Sequence, residues 1–155
     1  MALRADGEKP MASVHDVAAY ILERLGPVTT WKLQKLVYYS QAWALVWDEK
    51  PLFKARIEAW ANGPVIPELY RRHRGQFRVF AWPQGDASRL NESERETVDA
   101  VLEFYGPKTS QWLSDLTHSE APWREARGAL APGESGCEGI SLESMHRYYS
   151  GLSAS

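Results

Sequence analysis

The heptapeptide Thr117-His-Ser-Glu-Ala-Pro-Trp123 holds the residues best suited to chemistry in this chain. His118 and Glu120 can serve as a general acid and base, because an imidazole beside a carboxylate exchanges protons near neutral pH. The same stretch also reads as a helix junction. Thr117 or Ser119 caps a turn that Pro122 starts, and His118 bonds to backbone. The four histidines, His15, His73, His118 and His146, have neither the His-x-x-x-His nor the Cys-x-x-Cys spacing of a zinc site, so no metal or cofactor is expected. No glycine pattern matches a phosphate-cradling or dinucleotide loop, and no Gly-x-Ser-x-Gly elbow is present. The single cysteine, Cys137, lies in an acidic loop with no neighbouring base to activate it. One thiol excludes an internal disulfide framework and points to a reducing cytoplasm.

Two further groups suit binding. Arg71-Arg-His-Arg74, with Arg78 beyond, is a basic knot that can touch phosphates. It also falls where a helix C-terminus favours cations. A net charge of -2 weighs against a nucleic-acid partner. The chain holds seven tryptophans and seven tyrosines, and Trp60, Trp82 and Trp123 stand beside chain breaks. Such rings fill cores, or anchor a partner at low entropy cost.

These residues need elements to position them. The composition, 44% hydrophobic and 25% charged over 155 residues, is that of one folded domain. Val14, Val17, Ala18, Ile21, Leu22 and Leu25 form a helical stripe that Ser13 caps and Gly26-Pro27 ends. Thr29-Thr30 opens a second helix over about 30–47. From Leu36 to Trp47, with Trp43 in its middle, it is apolar almost all round, as in a buried central helix. Its polar residues Lys32, Gln34, Lys35 and Gln41 are expected at one end or on one exposed strip. Residues 53–60 read as a helical turn or as a strand paired with Phe77–Phe80 in a small ribbon. Gly63-Pro64 breaks the chain and Pro67 starts a helix ending near Gly75. Asn91 caps a helix carrying Val98, Val101, Leu102 and Tyr105, which Gly106-Pro107 ends. A short helix over about 109–116 follows. Residues 128–139 read as a loop, and Ser141 caps a last helix with Leu142, Met145, Tyr149 and Leu152 on one side. The expected fold is mainly α: a compact single-domain bundle of five to six helices with room for a two-stranded ribbon. No segment reaches the ~18 apolar residues of a membrane span. The polar N-terminus lacks a secretory signal's apolar run.

Lys32-Leu-Gln-Lys-Leu-Val-Tyr-Tyr-Ser-Gln-Ala-Trp43, Pro51-Leu-Phe53, Ile57-Glu-Ala-Trp60, Gly63-Pro-Val-Ile-Pro-Glu-Leu-Tyr70 and Thr117–Trp123 together resemble the ordered blocks of the Panacea domain. This family is also called the SocA-like antitoxin domain, and some phage-associated proteins carry it. The resemblance runs from about residue 14 to about residue 127. It divides the chain into a loose N-terminal extension (1–12), a Panacea-like helical domain (13–127), and a loop plus C-terminal helix packing on that domain (128–155). It implies a cytoplasmic antitoxin that neutralises a cognate protein toxin, encoded by a neighbouring gene, through direct binding. A branch of the family works as an adaptor to a Clp-type protease, and that partner is implied as an alternative. No catalytic set transfers. Under this reading Trp60, Asn62, Tyr70, Arg71, Arg74, His118, Glu120 and Trp123 are the expected toxin-facing residues. Gly63, Pro64, Pro67 and Trp43 are the expected structural motif. Two other readings stay open: an enzyme that reverses a toxin's modification through His118 and Glu120, and a nucleic-acid-binding regulator using Arg71, Arg72 and Arg74.

Overall fold

The computed structural model describes residues 11–153. Most of the expected N-terminal extension, residues 1–10, therefore lies outside the described residues, while Ala12 already packs in the core.

The fold is mainly helical and is built around one buried helix. Helix α1 (Val14–Leu25) opens with a capping box in which Ser13 Oγ accepts from Asp16 N–H and Asp16 Oδ2 accepts from Ser13 N–H. Gly26 closes it, donating its N–H to Leu22 O. Helix α2 (Thr30–Trp47) is the central element, with Thr29 as N-cap. It packs against α1 and against three later helices, α4 (Glu92–Tyr105), α5 (Ser110–Ser119) and α7 (Leu142–Ser153). Burial of Leu33, Leu36, Val37, Tyr38, Tyr39 and Leu45 on so many sides accounts for its near-continuous apolar sequence. Each large side chain so buried contributes about 1.5–3 kcal/mol. With α3 (Pro67–His73) and α6 (Ala121–Arg127), seven helices are present among the described residues. In α7, Met145 and Tyr149 face the core, while Leu142 and Leu152 at its two ends are exposed.

Two small antiparallel sheets complete the fold, and their pairing differs from the expected ribbon. Strand β2 (Glu58–Trp60) turns at Ala61-Asn62 and pairs with β3 (Gly63–Val65), the segment immediately after it. Strand β4 (Arg78–Val79) pairs instead with β1 (Val28–Thr29), at the entrance to α2. Gly63 permits the tight return that makes the local pairing possible. Its φ of +119° is open to glycine, and Pro64 follows it inside the buried strand.

The polar residues of α2 also correct an expectation. Gln34, Lys35 and Gln41 are buried rather than exposed. Two of them act as substitute strand partners. Gln41 Oε1 accepts from the N–H groups of Leu52 and Phe53, and its Nε2 donates to Phe53 O. Gln34 Oε1 accepts from Ile66 N–H at 2.8 Å, and its Nε2 donates to Ile66 O at 3.3 Å. The chain passing over α2 is thus held where no neighbouring strand can hold it. Pro67 then opens α3 at a fixed position.

The space around Gly63 is tight. A Cβ built there lies 2.7 Å from Lys35 Cε and 3.1 Å from Thr117 Oγ1. Gly63→Val therefore combines backbone strain with overpacking, an expected loss of roughly 2–4 kcal/mol. Thermal denaturation checks this, and an unchanged melting temperature refutes it.

Candidate functional site

The β2–β3 hairpin tip is held by side chains that arrive from α5 and α6. Three successive carbonyls receive them. Arg127 Nη1 donates to Ala59 O at 3.3 Å, and Trp123 Nε1 donates to Trp60 O at 2.8 Å. His118 Nε2 lies 3.0 Å from Ala61 O, while its Nδ1 faces Ser114 O. A neutral imidazole carries one N–H, so it donates to one of these two carbonyls at a time. The His118 ring lies 4.1 Å from that of Trp123, over which Arg127 also sits. Both ring nitrogens of His118 face backbone carbonyls, as the helix-junction reading expects.

Glu120 does not join His118. It is the extended residue between α5 and α6, and this conformation turns its side chain into the core, where the residue is 3% exposed. Its Oε1 accepts from Tyr39 OH at 2.8 Å and from Tyr149 OH at 2.6 Å. Tyr149 OH also meets Tyr38 OH at 3.1 Å. As a toxin-facing residue Glu120 is corrected: its carboxylate is a core acceptor that ties α7 to α2. The sequence pair His118/Glu120 thus points two ways because the helix ends between them.

Of the remaining expected residues, Trp60, Asn62 and Tyr70 lie at the hairpin. Trp60 donates Nε1–H to Glu58 at 2.8 Å and meets Tyr70 edge-on at 5.0 Å. Tyr70 in turn lies 6.1 Å from Trp31, at the start of α2. Asn62 is exposed at the hairpin tip. The basic knot is divided. Arg71, Arg72 and Arg74 face outward, whereas His73 is buried beside Gln34. Gln34 Nε2 can only donate, so His73 Nε2 accepts at 2.9 Å and the ring is neutral. Burial also lowers the His73 pKa, which agrees with that assignment. Trp43 belongs to the scaffold, donating to Tyr105 OH at 3.0 Å and stacking on Trp47.

Two depressions flank Asn62. One, of about 500 Å³, is lined by Trp60, Ala61, Asn62, Ser135, Gly136 and Cys137. The other, of about 280 Å³, is lined by Trp31, Lys35, Asn62, Ser110, Gln111 and Ser114. Lys35 is 1% exposed, and burial alone brings its pKa down to about 8. Trp31 and Lys35 are one helical turn apart, so α2 puts them on one face. Lys35, Trp31 and the first turn of α5 were not among the expected site residues. The available signal was a lysine immediately before the continuous apolar run of α2, with Trp31, Leu36, Tyr38 and Tyr39 at i−4, i+1, i+3 and i+4. Phe77 and Phe80, which flank β4, are exposed.

Among the described residues no group of three His, Cys, Asp or Glu side chains is placed to hold a metal ion. No helix among them is long and apolar enough to cross a membrane.

Fold and site together define a small, mainly helical domain in which a braced aromatic hairpin packs on a buried central helix. A family model described as "Antitoxin SocA-like, Panacea domain" matches residues 33–124, more than half of the chain, and this protein belongs to that family. No curated protein and no solved structure matches the chain.

Two predictions concern the buried charges. Burial raises the Glu120 pKa, partly offset by the bonds from Tyr149 and Tyr39. The folded state therefore holds that proton more tightly than the unfolded chain. Stability at this site falls as pH rises from the ordinary value of 4.5 to the higher folded value. Glu120→Gln keeps an acceptor for both hydroxyls and should flatten that dependence in denaturant unfolding. Glu120→Ala removes the acceptor that the Tyr39 and Tyr149 hydroxyls share and should cost roughly 3 kcal/mol.

The sign is opposite for Lys35. Between pH 8 and the ordinary value of 10.5 the folded state binds fewer protons than the unfolded chain, so stability at this site rises with pH. Below that window the cost of the buried charge is present in full. Lys35→Met should raise stability by roughly 1–3 kcal/mol at pH 7. Its advantage over the native chain should narrow as pH rises through the window in the same unfolding experiment.

Proposed function

We propose that this protein is an antitoxin that neutralises a cognate protein toxin by direct binding. The observation that carries the reading is membership of the SocA-like antitoxin family, whose match spans most of α2 through the first half of α6. The braced hairpin is the proposed contact face. Its proposed members are Trp60, Asn62, Tyr70, Arg71, Arg74, His118 and Trp123. A rigid aromatic patch with a polar and basic rim has the composition of a protein interface. Fixing the tip by Arg127, Trp123 and His118 lowers the ordering cost of binding. The separate engagements of His118 and Glu120 favour binding over an acid–base reaction at this pair. The toxin is proposed to be encoded by a neighbouring gene and to meet its antitoxin in the cytoplasm.

Co-expression with the adjacent open reading frame tests the reading. The neighbour alone should arrest growth, and this protein should restore it. A neighbour that is harmless alone, or that stays toxic in its company, overturns the proposal. Asn62→Arg places bulk and charge at an exposed position and should weaken the complex by about tenfold or more, equivalent to ~1.4 kcal/mol. Its melting temperature should stay unchanged. Calorimetry on the purified pair measures the affinity.

A further inference from the structure

Among the polar side chains that α2 buries, Lys35 differs from its neighbours. Gln34 and Gln41 bond to backbone, and Ser40 Oγ donates to Leu36 O. Lys35 Nζ has no hydrogen bond or ion pair among the described residues; the Trp31 ring lies 5.6 Å away, and Gly63 packs against the lysine side chain. Every fully buried side-chain nitrogen or oxygen among those residues does have a partner. Lys35 lines the 280 Å³ cavity, and its ammonium is the polar group it can offer there.

Beside the Trp31 ring, the rest of the lining is polar and uncharged. Ser110 and Gln111 form the first turn of the ten-residue helix α5. Thr109 takes up the N–H groups of Trp112, through its side chain, and of Leu113, through its carbonyl. Among the described residues the N–H groups of Ser110 and Gln111 have no such acceptor, and the helix dipole adds partial positive charge there. Asn62 completes the rim. Asp115, the carboxylate on the same helix, is held by Gln111 Nε2 and does not line the cavity.

We propose that this cavity is a receptor for a single carboxylate presented by the partner protein, with Lys35 as its counter-ion and the first turn of α5 as its hydrogen-bond donor. The identity of the bearer rests on the antitoxin reading; the chemistry of the site does not. One lining cation matches a monoanion better than a phosphate dianion. The volume falls below the roughly 300–1,000 Å³ of small-molecule pockets and suits one acidic group. A carboxylate seated there supplies the partner that the buried ammonium lacks within the fold.

The test titrates the full chain, labelled for NMR, with three probes at constant ionic strength. N-acetylglutamate N-methylamide represents a side-chain carboxylate, N-acetylglycine represents a chain terminus, and inorganic phosphate is the competitor. The Lys35 ε-methylene and Trp31 indole signals should shift saturably with a carboxylate probe, in roughly the millimolar range of a single weak contact. The tighter carboxylate identifies the source. In Lys35→Met, followed through Trp31, affinity should fall by about tenfold or more. Absence of saturation with both carboxylates, tighter binding of phosphate, or unaltered affinity in Lys35→Met each overturns the proposal. The native-chain titration stands whether or not the variant folds. No toxin is present in these measurements, so their failure leaves the antitoxin reading intact. Failure of growth rescue removes the proposed bearer without altering the probe result.

Discussion

The architecture depends on α2 being buried on nearly all sides while still hydrogen-bonding to the chain that crosses it. A helix satisfies its own backbone and offers nothing to a passing loop. Gln34 and Gln41 resolve that constraint by presenting side-chain amides that imitate a strand edge. One fixes Leu52 and Phe53 after the α2 turn, and the other fixes Ile66 before α3. Loss of such a partner leaves buried backbone groups unpaired at about 1–3 kcal/mol each. The hairpin lies between these two anchor points, so its position is set by the same helix that forms the core.

A second set of polar contacts closes the structure from the far end of the chain. Tyr149, on α7, reaches Glu120 and Tyr38 in the interior. That helix lies beyond the segment matched by the family model, yet it supplies part of the central packing. The carboxylate at its centre is tolerated because two hydroxyls solvate it in place of water. On the opposite side of the α5–α6 junction, His118 and Trp123 brace the hairpin. One junction therefore serves both the interior and the surface.

Much of this was legible in the residues. The stripe in α1, the caps at Ser13, Thr29 and Asn91, and the apolar length of α2 report local geometry directly, and the elements stand where those signals place them. The sheets were harder to read. Strands of two or three residues are too short for alternation to select a partner, and the tertiary path decided it. Burial of Gln34, Lys35 and Gln41 was hidden for a different reason. Polarity is ordinarily evidence of solvent, and only the fold reveals that two of these groups meet backbone and the third meets a cavity. Adjacency misled at His118 and Glu120, because a helix terminus between two residues can send their side chains to opposite sides.

The lone thiol acquires a practical meaning from its surroundings. Cys137 is exposed and lines the depression shared with Trp60 and Asn62, while its carbonyl accepts from Arg56 Nη2 at 3.2 Å. A maleimide dye or photo-crosslinker attached to the native sequence would thus sit beside the hairpin, with no competing cysteine to take up the reagent. The molecule carries its own reporter position, and whatever docks at that edge would be recorded as quenching or as a covalent adduct.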